Sequence, residues 1–388
     1  MNRRGIALIA SSHVVDDIYQ GVVPAMLPFF VAERGYSYAA IAGLTLAATV
    51  FSSVAQPLFG WWADRHAARW LVWVGFSTAA IGVGWAGVSA SYEVTWAALA
   101  LSGLGVAAFH PEAARVARQA AGSSNQGMSI FALGGNAGFA LGTVIATPVF
   151  LALGLRGTPL LLAPAAVMAI IVIARLNHVI DRPSARSGRL ALPTGRDNWA
   201  SFALLTTTVI LRSVMFFGIS SFLALYFIHH LHTSKALGNA SLSVFLVAGA
   251  VGTVLGGVIG DRYGRLASMR LGFALAIPSL IALVLADNVW LCMVFVAIGG
   301  IATYLPFAVM VMLGQDYLPN RIGTASGVTV GLSVSIGGLA NPLFGMLADA
   351  TSLRTTLAVL VIMPAIALAL ASRLRDPLNR SRDAVGIA

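Results

Sequence analysis

The sequence predicts an all-α membrane protein with twelve transmembrane helices in two pseudo-symmetric six-helix halves. Three observations support this prediction: the composition, twelve long apolar segments, and a repeat that relates the two halves. Of the 388 residues, 58% are apolar and only 10% are Asp, Glu, Lys or Arg. Soluble domains average about 45–50% apolar and about 25% charged residues. The composition therefore excludes a water-soluble globular protein and a disordered chain.

Twelve apolar segments are each long enough to cross a bilayer, because an α-helix needs roughly 20 apolar residues to span about 30 Å of hydrocarbon. The segments are 6–31, 38–61, 70–89, 94–117, 126–153, 158–177, 200–228, 238–260, 266–286, 288–313, 322–348 and 354–372. The first segment carries three ionisable residues and has no A-x-A cleavage site. We therefore expect it to be a retained helix and not a cleaved signal peptide.

A segment rich in Arg, Pro, Gly and Ser, residues 178–199, separates the predicted halves 1–177 and 200–388. Of the 24 Lys and Arg residues, 19 lie on the side of this linker and of both termini, four lie on the other side, and Arg212 lies within a helix. Because cytoplasmic loops are enriched in Lys and Arg, we expect both termini to be cytoplasmic in a cell (inner) membrane. The formal charge of +10 then requires no nucleic-acid partner.

An internal repeat links the two halves. GWWADR at 60–65 recurs as GVIGDR at 257–262, and aligning the first helices of the two halves places Asp16 opposite Arg212. Two related six-helix halves are the architecture of many secondary transporters, which bind substrate near the bilayer midplane. Glycines also recur at helical spacing in the fifth and eighth segments, which indicates closely packed or sliding helix surfaces.

Two longer stretches, GWWADRHAAR at 60–69 and GVIGDRYGR at 257–265, resemble the signature loops of the major facilitator superfamily. Within it, HVVDD at 13–17, FHPEAARVAR at 109–118 and GGNAG at 134–138 resemble the fosmidomycin-resistance branch of drug exporters. The resemblance covers essentially the full length and implies alternating-access export without a cofactor. The fifth segment lacks the tight Gly-Pro pair of the superfamily's antiporters, which weakens the inference of antiport.

The signature loops imply a gate that closes the cytoplasmic side and breaks on switching. The glycines would allow close helix approach, the aspartates would face helix N-termini, and the arginines would bridge to acids or carbonyls. The implied gating residues are Gly60, Asp64, Arg65, Arg69, Gly257, Asp261, Arg262 and Arg265. The alternative is that the arginines only anchor the loops on the cytoplasmic side.

The first helix carries His13, Asp16, Asp17 and Gln20 at i, i+3, i+4 and i+7, on one face. Ionisable groups within the hydrocarbon are costly and mark functional sites. Two adjacent carboxylates in a poorly hydrated cavity do not both ionise readily, so Asp16 or Asp17 is predicted to carry a proton. The alternative is a structural role, either at a helix break or in a bridge to Arg212.

The fourth segment offers a second candidate for proton coupling, Glu112, with Arg115 on the same face and His110 directed elsewhere. The alternative is an i, i+3 ion pair. His13 and Asp17 together with His110 and Glu112 offer metal-ligand types, but no H-E-x-x-H or similar spacing occurs. We therefore expect no metal site.

Arg212 is the basic residue that lies deep within a predicted helix, and it shares a face with Phe216. It is predicted to pair with Asp16 or Asp17 or to bind an anionic substrate. The alternative is a fixed counter-ion that holds the two halves together. The other residues predicted to contact the substrate lie in several helices: His13, Gln20, Gln56, His110, Arg115, Asn136, Phe216, Tyr226, Tyr304 and Asn341.

Together these features predict a monomeric secondary transporter that exchanges protons for a small drug or metabolite. Proton symport and uniport use the same parts and stay open as alternatives. A membrane-embedded enzyme is a remote alternative, because no nucleophile or metal cluster has useful spacing, and we do not expect enzymatic activity. The predicted partners are a small-molecule substrate, protons and the lipid bilayer.

Overall fold

The computed structural model describes residues 1–65, 68–122, 125–179, 196–321, 325, 328–329 and 333–375. In this part of the chain, all regular secondary structure is helical. Ten segments of it are long and apolar enough to cross a membrane. The longest, Gly127–Val179, has 53 residues and contains two α-helices joined by a 3₁₀ helix.

The N-terminal half contains six α-helices. Their bounds are α1 Arg3–Arg34, α2 Tyr38–Arg65, α3 Trp70–Val88, α4 Tyr92–Ala121, α5 Asn125–Leu153 and α6 Leu162–Val179, with the 3₁₀ helix Gly154–Leu161 between the last two. Of the predicted linker 178–199, residues 180–195 lie outside the described part of the chain.

The C-terminal half is more interrupted. Its bounds are α7 Trp199–Leu225, a π-helical turn Tyr226–His230, α8 Lys235–Tyr263, α9 Arg265–Leu285, α10 Val289–Tyr304, α11 Phe307–Tyr317, α12 Ser333–Ala350, α13 Leu353–Leu360 and α14 Ile362–Arg373. Pro306 stands between α10 and α11 as the residue before α11 begins, consistent with its lack of a backbone donor.

Polar caps set the starts of several helices. The side chain of Asn2 accepts a hydrogen bond of 3.0 Å from the Gly5 amide at the start of α1. Ser91 and Ser234 cap α4 and α8 in the same way. Helix α1 ends at Gly35, whose φ of 66° is the left-handed conformation that glycine adopts without strain. These caps satisfy backbone groups that the helices themselves leave unpaired.

The outer surface is apolar and the interior carries charge. Ile170 on α6 is 69% exposed and Leu343 on α12 is 68% exposed, whereas Asp16 and Glu112 are fully buried. This arrangement is the reverse of a water-soluble protein and matches helices that face lipid and enclose a polar interior.

Glycines bring α5 into backbone contact with α1. A Cβ atom on Gly138 would lie 2.2 Å from the carbonyl oxygen of Val14, and one on Gly142 would lie 2.3 Å from that of Ile18. Larger residues are therefore excluded from this face of α5. The glycine pattern in the sequence predicted this close packing. The packing places α5 directly beside the polar face of α1.

Hydrogen bonds join the two halves at the end of the molecule where α1 ends and α2 begins. Asp349 of α12 accepts hydrogen bonds from the backbone amides of Tyr38 and Ala39, at 2.9 and 2.8 Å. Asn239 of α8 donates to the carbonyl oxygen of Ala25 in α1, at 3.1 Å. We refer to these contacts as the α1–α2 end contacts.

Candidate functional site

Four ionisable side chains meet between α1 and α4, and we refer to His13, Asp16, Asp17 and His110 as the acid–histidine cluster. Nε2 of His13 lies 3.4 Å from Oδ2 of Asp17, and Nε2 of His110 lies 3.6 Å from Oδ1 of Asp17. Nδ1 of His110 lies 3.5 Å from Oδ2 of Asp16. Gln20 donates a hydrogen bond to Oδ1 of Asp17. The structure thus brings the predicted polar face of α1 together with His110.

The two imidazole rings are oriented by backbone carbonyl groups. Nδ1 of His13 lies 2.8 Å from the carbonyl oxygen of Phe131, and Nδ1 of His110 lies 2.9 Å from that of Val106. A carbonyl oxygen only accepts, so each Nδ1 is the protonated nitrogen. In the neutral rings both Nε2 atoms then carry lone pairs, and these atoms lie 3.3 Å apart. The cluster is therefore arranged to hold a positive species between the rings.

Asp16 lies at the innermost side of the cluster. Its side chain is fully buried, and neither carboxylate oxygen accepts a hydrogen bond within the described residues. Burying an ionised carboxylate without donors costs several kcal/mol, on the order of the desolvation penalty for an unpaired ion. A nearby positive charge or a bound proton is needed to offset that cost.

Helix α5 closes the cluster from a third side. The ring of Phe131 stacks on His13, with 4.3 Å between the centroids. A Cβ atom on Gly135 would lie 2.6 Å from both Oδ2 of Asp17 and Nε2 of His13. Glycine is therefore the residue that allows this carboxylate and this imidazole to approach each other beside α5.

Glu112 stands apart from the cluster on α4. Its buried carboxylate pairs with Arg115, whose Nε donates to Oε2 at 2.9 Å and whose Nη2 donates to Oε1. Both oxygens are therefore occupied by one guanidinium, three residues along the same helix. The structure shows the ion pair that the sequence offered as the alternative for these two residues.

Arg212 lies buried in the C-terminal half on α7. Its Nε donates to the carbonyl oxygen of Thr303 at 2.8 Å, and its guanidinium carbon lies 4.7 Å from the ring centroid of Phe307 and 5.4 Å from that of Tyr304. Among the described residues, no carboxylate lies within 4 Å of it. The expected pair with Asp16 or Asp17 is absent in this structure, because aromatic rings and a backbone carbonyl hold the guanidinium instead.

Aromatic side chains fill the space between Arg212 and the N-terminal half. Phe216, one turn after Arg212, packs edge-to-face against Tyr304, with centroids 5.4 Å apart. It also packs against Phe139 of α5 at 5.7 Å. Phe216 and Tyr304, both predicted to contact the substrate, therefore pack near Arg212. Phe216 also contacts α5, the helix that lies beside the acid–histidine cluster.

A cavity lies between α7 and four helices of the N-terminal half. Phe139 and Phe217 form apolar parts of its wall. Its polar lining residues include Gln20, Thr45, Thr49, Ser102, Ser220 and Ser221. Because Gln20 also donates to Asp17, it connects the cavity to the cluster.

Four further residues predicted to line a cavity lie in different surroundings. The amide of Asn341 donates to Oγ of Ser221 at 2.6 Å and so supports the cavity wall from behind. Tyr226 is buried in the π-helical turn, where its hydroxyl donates to the carbonyl oxygen of Leu283 at 3.3 Å. Gln56 and Asn136 are half-buried and do not belong to the cavity lining.

Two of the predicted gating arginines, Arg69 and Arg265, make contacts within their own halves. Arg69 donates to the side-chain oxygens of Asn177 at 3.2 Å and Gln119 at 3.3 Å. Arg265 forms an ion pair with Asp316 of α11. These contacts tie the ends of neighbouring helices together at the end opposite to the α1–α2 end contacts.

Arg262 and Asp261, two further predicted gating residues, lie at the end of α8 in this conformation. Arg262 lies over the ring of Tyr263, 5.3 Å from its centroid, and Asp261 is exposed at the end of α8. The side chains of Asp64 and Arg65 lie outside the described residues.

The signature glycines do not mediate close helix contact here. A Cβ atom on Gly257 would meet no described atom within 4 Å, and one on Gly60 would lie 3.7 Å from Pro111, which is ordinary contact. Our expectation of close approach at these two positions is therefore not met in this conformation. Gly256 fills that role instead, since a Cβ there would lie 2.0 Å from the carbonyl oxygen of Leu305.

Sequence reasoning missed most of the cavity lining and the α1–α2 end contacts. Serine and threonine are common in apolar helices, where their hydroxyls bond to a carbonyl one turn earlier, as Thr49 does to Thr45 at 2.9 Å. They therefore give no specific signal. Asp349 is an acidic residue at the end of an apolar segment. A search for charged residues at the ends of the predicted helices would have identified it.

Solved structures of similar fold are membrane transporters. A bacterial homolog of the human lysosomal transporter Spinster, crystallised in an inward-facing and occupied conformation, matches with a TM-score of 0.80 over 95% of this chain and 96% of that chain, at 16% identity. A variant of the nucleoside transporter NupG matches with a TM-score of 0.78 over 96% of this chain and 100% of that chain, at 12% identity. At these identities the likeness shows the fold.

Two curated relatives cover most of the chain. The Fosmidomycin resistance protein of Escherichia coli (strain K12) is 30% identical over 371 residues, which are 92% of this chain and 90% of that protein. An uncharacterized MFS-type transporter of Bacillus subtilis (strain 168), YfnC, is 29% identical over 376 residues, 93% of this chain and 90% of that protein. The family model of the Major Facilitator Superfamily matches residues 9–340 and 205–386. The chain therefore belongs to the major facilitator superfamily and is a multi-pass membrane transporter, as its sequence predicted.

Proposed function

We propose that the protein is a proton-coupled antiporter that exports a small drug or metabolite by alternating access. The observation that carries the proposal is the acid–histidine cluster, which connects through Gln20 to the cavity. A group that takes up a proton at this place can alter the cavity directly, because Asp17 and the cavity share the Gln20 side chain. The name of the Escherichia coli relative, which refers to drug resistance, supports export.

The proposal includes twelve transmembrane helices in two six-helix halves. The 53-residue segment Gly127–Val179 is about 80 Å long at 1.5 Å per residue, enough for two crossings of a hydrocarbon core of about 30 Å. Dividing it at the 3₁₀ helix turns the ten apolar segments into eleven. Helix α12, Ser333–Ala350, is not among those ten and provides the twelfth.

The distribution of basic residues supports cytoplasmic termini in the inner membrane. Because 19 of the 24 Lys and Arg residues lie on the side of both termini, that side is the cytoplasmic one under the positive-inside rule. The α1–α2 end contacts then lie on the external side. We infer an inward-facing conformation in which these contacts close the external entrance, while Arg69 and Arg265 lie at the cytoplasmic end.

Asp16 and Asp17 are the proposed proton carriers. Asp16 is buried without a hydrogen-bond donor, and Asp17 contacts both imidazole rings. A proton shared among these groups neutralises a buried carboxylate and so removes the free-energy cost of burying its charge. Release of the proton on the other side of the membrane restores that free-energy cost. Glu112 is a weaker candidate, because Arg115 occupies both of its oxygens.

Arg212 is the proposed contact for an anionic group of the substrate. Only neutral partners hold its buried guanidinium among the described residues, and a buried cation without a counter-ion is costly. An anion that reaches Arg212 therefore gains a charge-assisted hydrogen bond. Tyr304 and Phe216 would flank the bound group.

The test is proton movement in energised inside-out vesicles, followed with a pH-reporting dye and a substrate panel that includes fosmidomycin. We expect a substrate to evoke proton release from the acidified lumen, and expect Asp16→Asn or Asp17→Asn to abolish it. Asp287→Asn, which alters an exposed loop carboxylate, is the matched control and keeps the release.

Proton movement in the opposite direction would indicate symport, and saturable substrate movement without proton movement would indicate uniport. Either result contradicts the antiport proposal. Normal proton release by both aspartate variants, at matched protein levels in the membrane, would contradict the assignment of the proton carriers.

A further inference from the structure

Three atoms of the acid–histidine cluster are spaced as metal ligands. One donor atom each from His13, Asp17 and His110 lies within 4.8 Å of the others. The two Nε2 atoms are 3.3 Å apart. Nε2 of His13 lies 3.4 Å from Oδ2 of Asp17, and Nε2 of His110 lies 3.6 Å from Oδ1 of the same carboxylate. In a tetrahedral Zn²⁺ site with Zn–N distances of about 2.0–2.1 Å, two ligand atoms lie about 3.3 Å apart. The two imidazole nitrogens thus have the spacing of two corners of such a tetrahedron, and the Asp17 carboxylate faces both of them.

The surroundings of the two histidines are those of metal-bound imidazoles. A histidine that binds a metal commonly donates its other ring N–H to a carbonyl or a carboxylate, which fixes the tautomer and directs the lone pair. Phe131 and Val106 supply these carbonyl oxygens, at 2.8 and 2.9 Å. Gln20 donates to Asp17 and orients the third ligand.

The buried Asp16 gives an independent reason for a cation at this place. Its carboxylate is fully buried without a hydrogen-bond donor and lies 3.5 Å from Nδ1 of His110. With Asp17, two carboxylates therefore face two rings whose Nδ1 atoms donate to backbone carbonyl groups, which leaves the Nε2 atoms directed at the cluster. A divalent cation between the rings balances the charge of both carboxylates.

We propose that His13, Asp17 and His110 bind one divalent transition-metal ion of the Zn²⁺ class. Two imidazole nitrogens and one carboxylate oxygen suit Zn²⁺, Co²⁺ and Ni²⁺, whereas Mg²⁺ and Ca²⁺ prefer oxygen ligands. Gly135 leaves room for these ligands beside α5, and water or an anionic ligand would take the fourth coordination position. Glu112 takes no part, because Arg115 occupies it.

The metal proposal does not depend on the transport proposal. A metal ion and a proton are alternative occupants of the same lone pairs, so Zn²⁺ at the cluster would displace the proton and hold α1 to α4. Zn²⁺ binding is measured on the protein at rest, without substrate or gradient. A failure of proton exchange therefore leaves the metal proposal standing, and a failure of Zn²⁺ binding leaves the transport proposal standing.

The experiment is equilibrium binding of Zn²⁺ to the full-length protein in lipid nanodiscs, after chelator treatment and removal of any affinity tag. We expect one Zn²⁺ per chain, with no displacement by a large excess of Mg²⁺. The double variant His13→Asn/His110→Asn and the single variant Asp17→Asn should each weaken binding at least tenfold, on the order of the effect of removing a ligand or its support.

The control is the double variant His229→Asn/His232→Asn. It removes the same number of imidazoles from an exposed histidine-containing segment beyond α7, and it should keep the affinity of the unmodified protein. Loss of binding in this variant alone would overturn the assignment, because it would place the ion on the exposed segment. Displacement of Zn²⁺ by equimolar Mg²⁺ would also overturn it.

Zn K-edge X-ray absorption of the unmodified protein keeps the proposal testable if the cluster variants do not fold. We expect two imidazole nitrogens and at least one oxygen at about 2.0–2.2 Å. A first shell of oxygen alone, or the absence of stoichiometric Zn²⁺ from the unmodified protein, would overturn the proposal.

Discussion

The two halves of the protein bury charge in different ways, although the repeat places Asp16 opposite Arg212. In the N-terminal half, two carboxylates and two imidazoles contact one another between α1 and α4. In the C-terminal half, one guanidinium is held by a carbonyl oxygen and two aromatic rings. The first arrangement is complementary to a cation and the second to an anion.

This difference shows that the two halves of a repeat can hold sites of opposite charge. The matching position in each half carries a buried ionisable residue, and its surroundings differ between the halves. Phe216 packs against Tyr304 beside Arg212 and against Phe139 of α5, the helix that also lies beside the acid–histidine cluster.

The largest expected effect is that of Arg212→Ala. Removing a charge-assisted hydrogen bond to substrate costs about 1.5–3 kcal/mol, so we expect transport of an anionic substrate to fall about 10- to 100-fold. Because no described carboxylate lies within 4 Å of Arg212, Zn²⁺ binding at the cluster should be unchanged. Substrate uptake into inside-out vesicles and Zn²⁺ binding are measured on the same preparation.

Arg373→Ala is the matched control for this prediction, since Arg373 is an exposed arginine at the end of α14. It should leave transport unchanged. If the Arg212→Ala variant transports normally, the guanidinium has only a structural role. If the variant loses both transport and Zn²⁺ binding, the two sites are not independent of each other.

A smaller effect is expected from Gly135→Ala, which removes no charge. The added methyl group would lie 2.6 Å from Oδ2 of Asp17 and Nε2 of His13, so these two groups must separate. Overpacking of this kind costs about 1–3 kcal/mol, and we expect proton-coupled transport and Zn²⁺ affinity to fall about tenfold each.

Gly299→Ala on α10 is the matched control, because a Cβ there would lie 3.5 Å from Oγ of Ser279, which is ordinary contact. The same substitution at this glycine should therefore leave both readouts unchanged. Equal losses in the two variants would indicate that helix flexibility, and not the contact with the cluster, determines the effect of Gly135→Ala.

Much of the fold and part of the site could be predicted from the sequence. Apolar segments and the recurring GWWADR and GVIGDR motifs indicate helices and their pairing, because bilayer thickness and backbone hydrogen bonding restrict the possible structures. The polar face of α1 could be read from helical periodicity alone. Its carboxylates and its histidine do lie together in the structure.

The contact of His13 with His110 could not be predicted in the same way. The two residues are 97 positions apart, and their meeting depends on how α1 and α4 are rotated about their axes. Gly135 and the carbonyl group of Phe131 set that arrangement, and neither carries a side-chain signal for metal or proton binding. The sequence analysis expected no metal site because it considered the spacing of ligands along the sequence, and this spacing does not show which helices meet.

The partner of Arg212 was missed for a related reason. Charge complementarity favours a pair with Asp16 or Asp17, but it does not show which helix backbone lies within reach. Helix α10 ends next to Arg212, so the carbonyl of Thr303 and the ring of Tyr304 take up the guanidinium.

The smallest predicted effect concerns the α1–α2 end contacts and extends the comparison from the two sites to the motion that connects them. Asp349→Ala removes the carboxylate that accepts from the amides of Tyr38 and Ala39. A charged acceptor at an exposed helix N-terminus is worth about 0.3–1 kcal/mol, so the closed state of this end should lose about 2- to 5-fold in relative population. Spin labels at Ala32→Cys and Thr351→Cys, in a Cys292→Ser background, should report a larger fraction of long distances.

Asp287→Ala removes an exposed carboxylate from the loop before α10 and should leave the distance distribution unchanged. The Asp349→Ala variant should also keep its Zn²⁺ affinity if the cluster is formed within the N-terminal half alone, as its contacts between α1 and α4 indicate. An unchanged distance distribution would show that Asp349 contributes no stability to the closed end. A loss of Zn²⁺ affinity together with the opening would instead show that the acid–histidine cluster exists only in the inward-facing state, and cation binding would then be directly linked to alternating access.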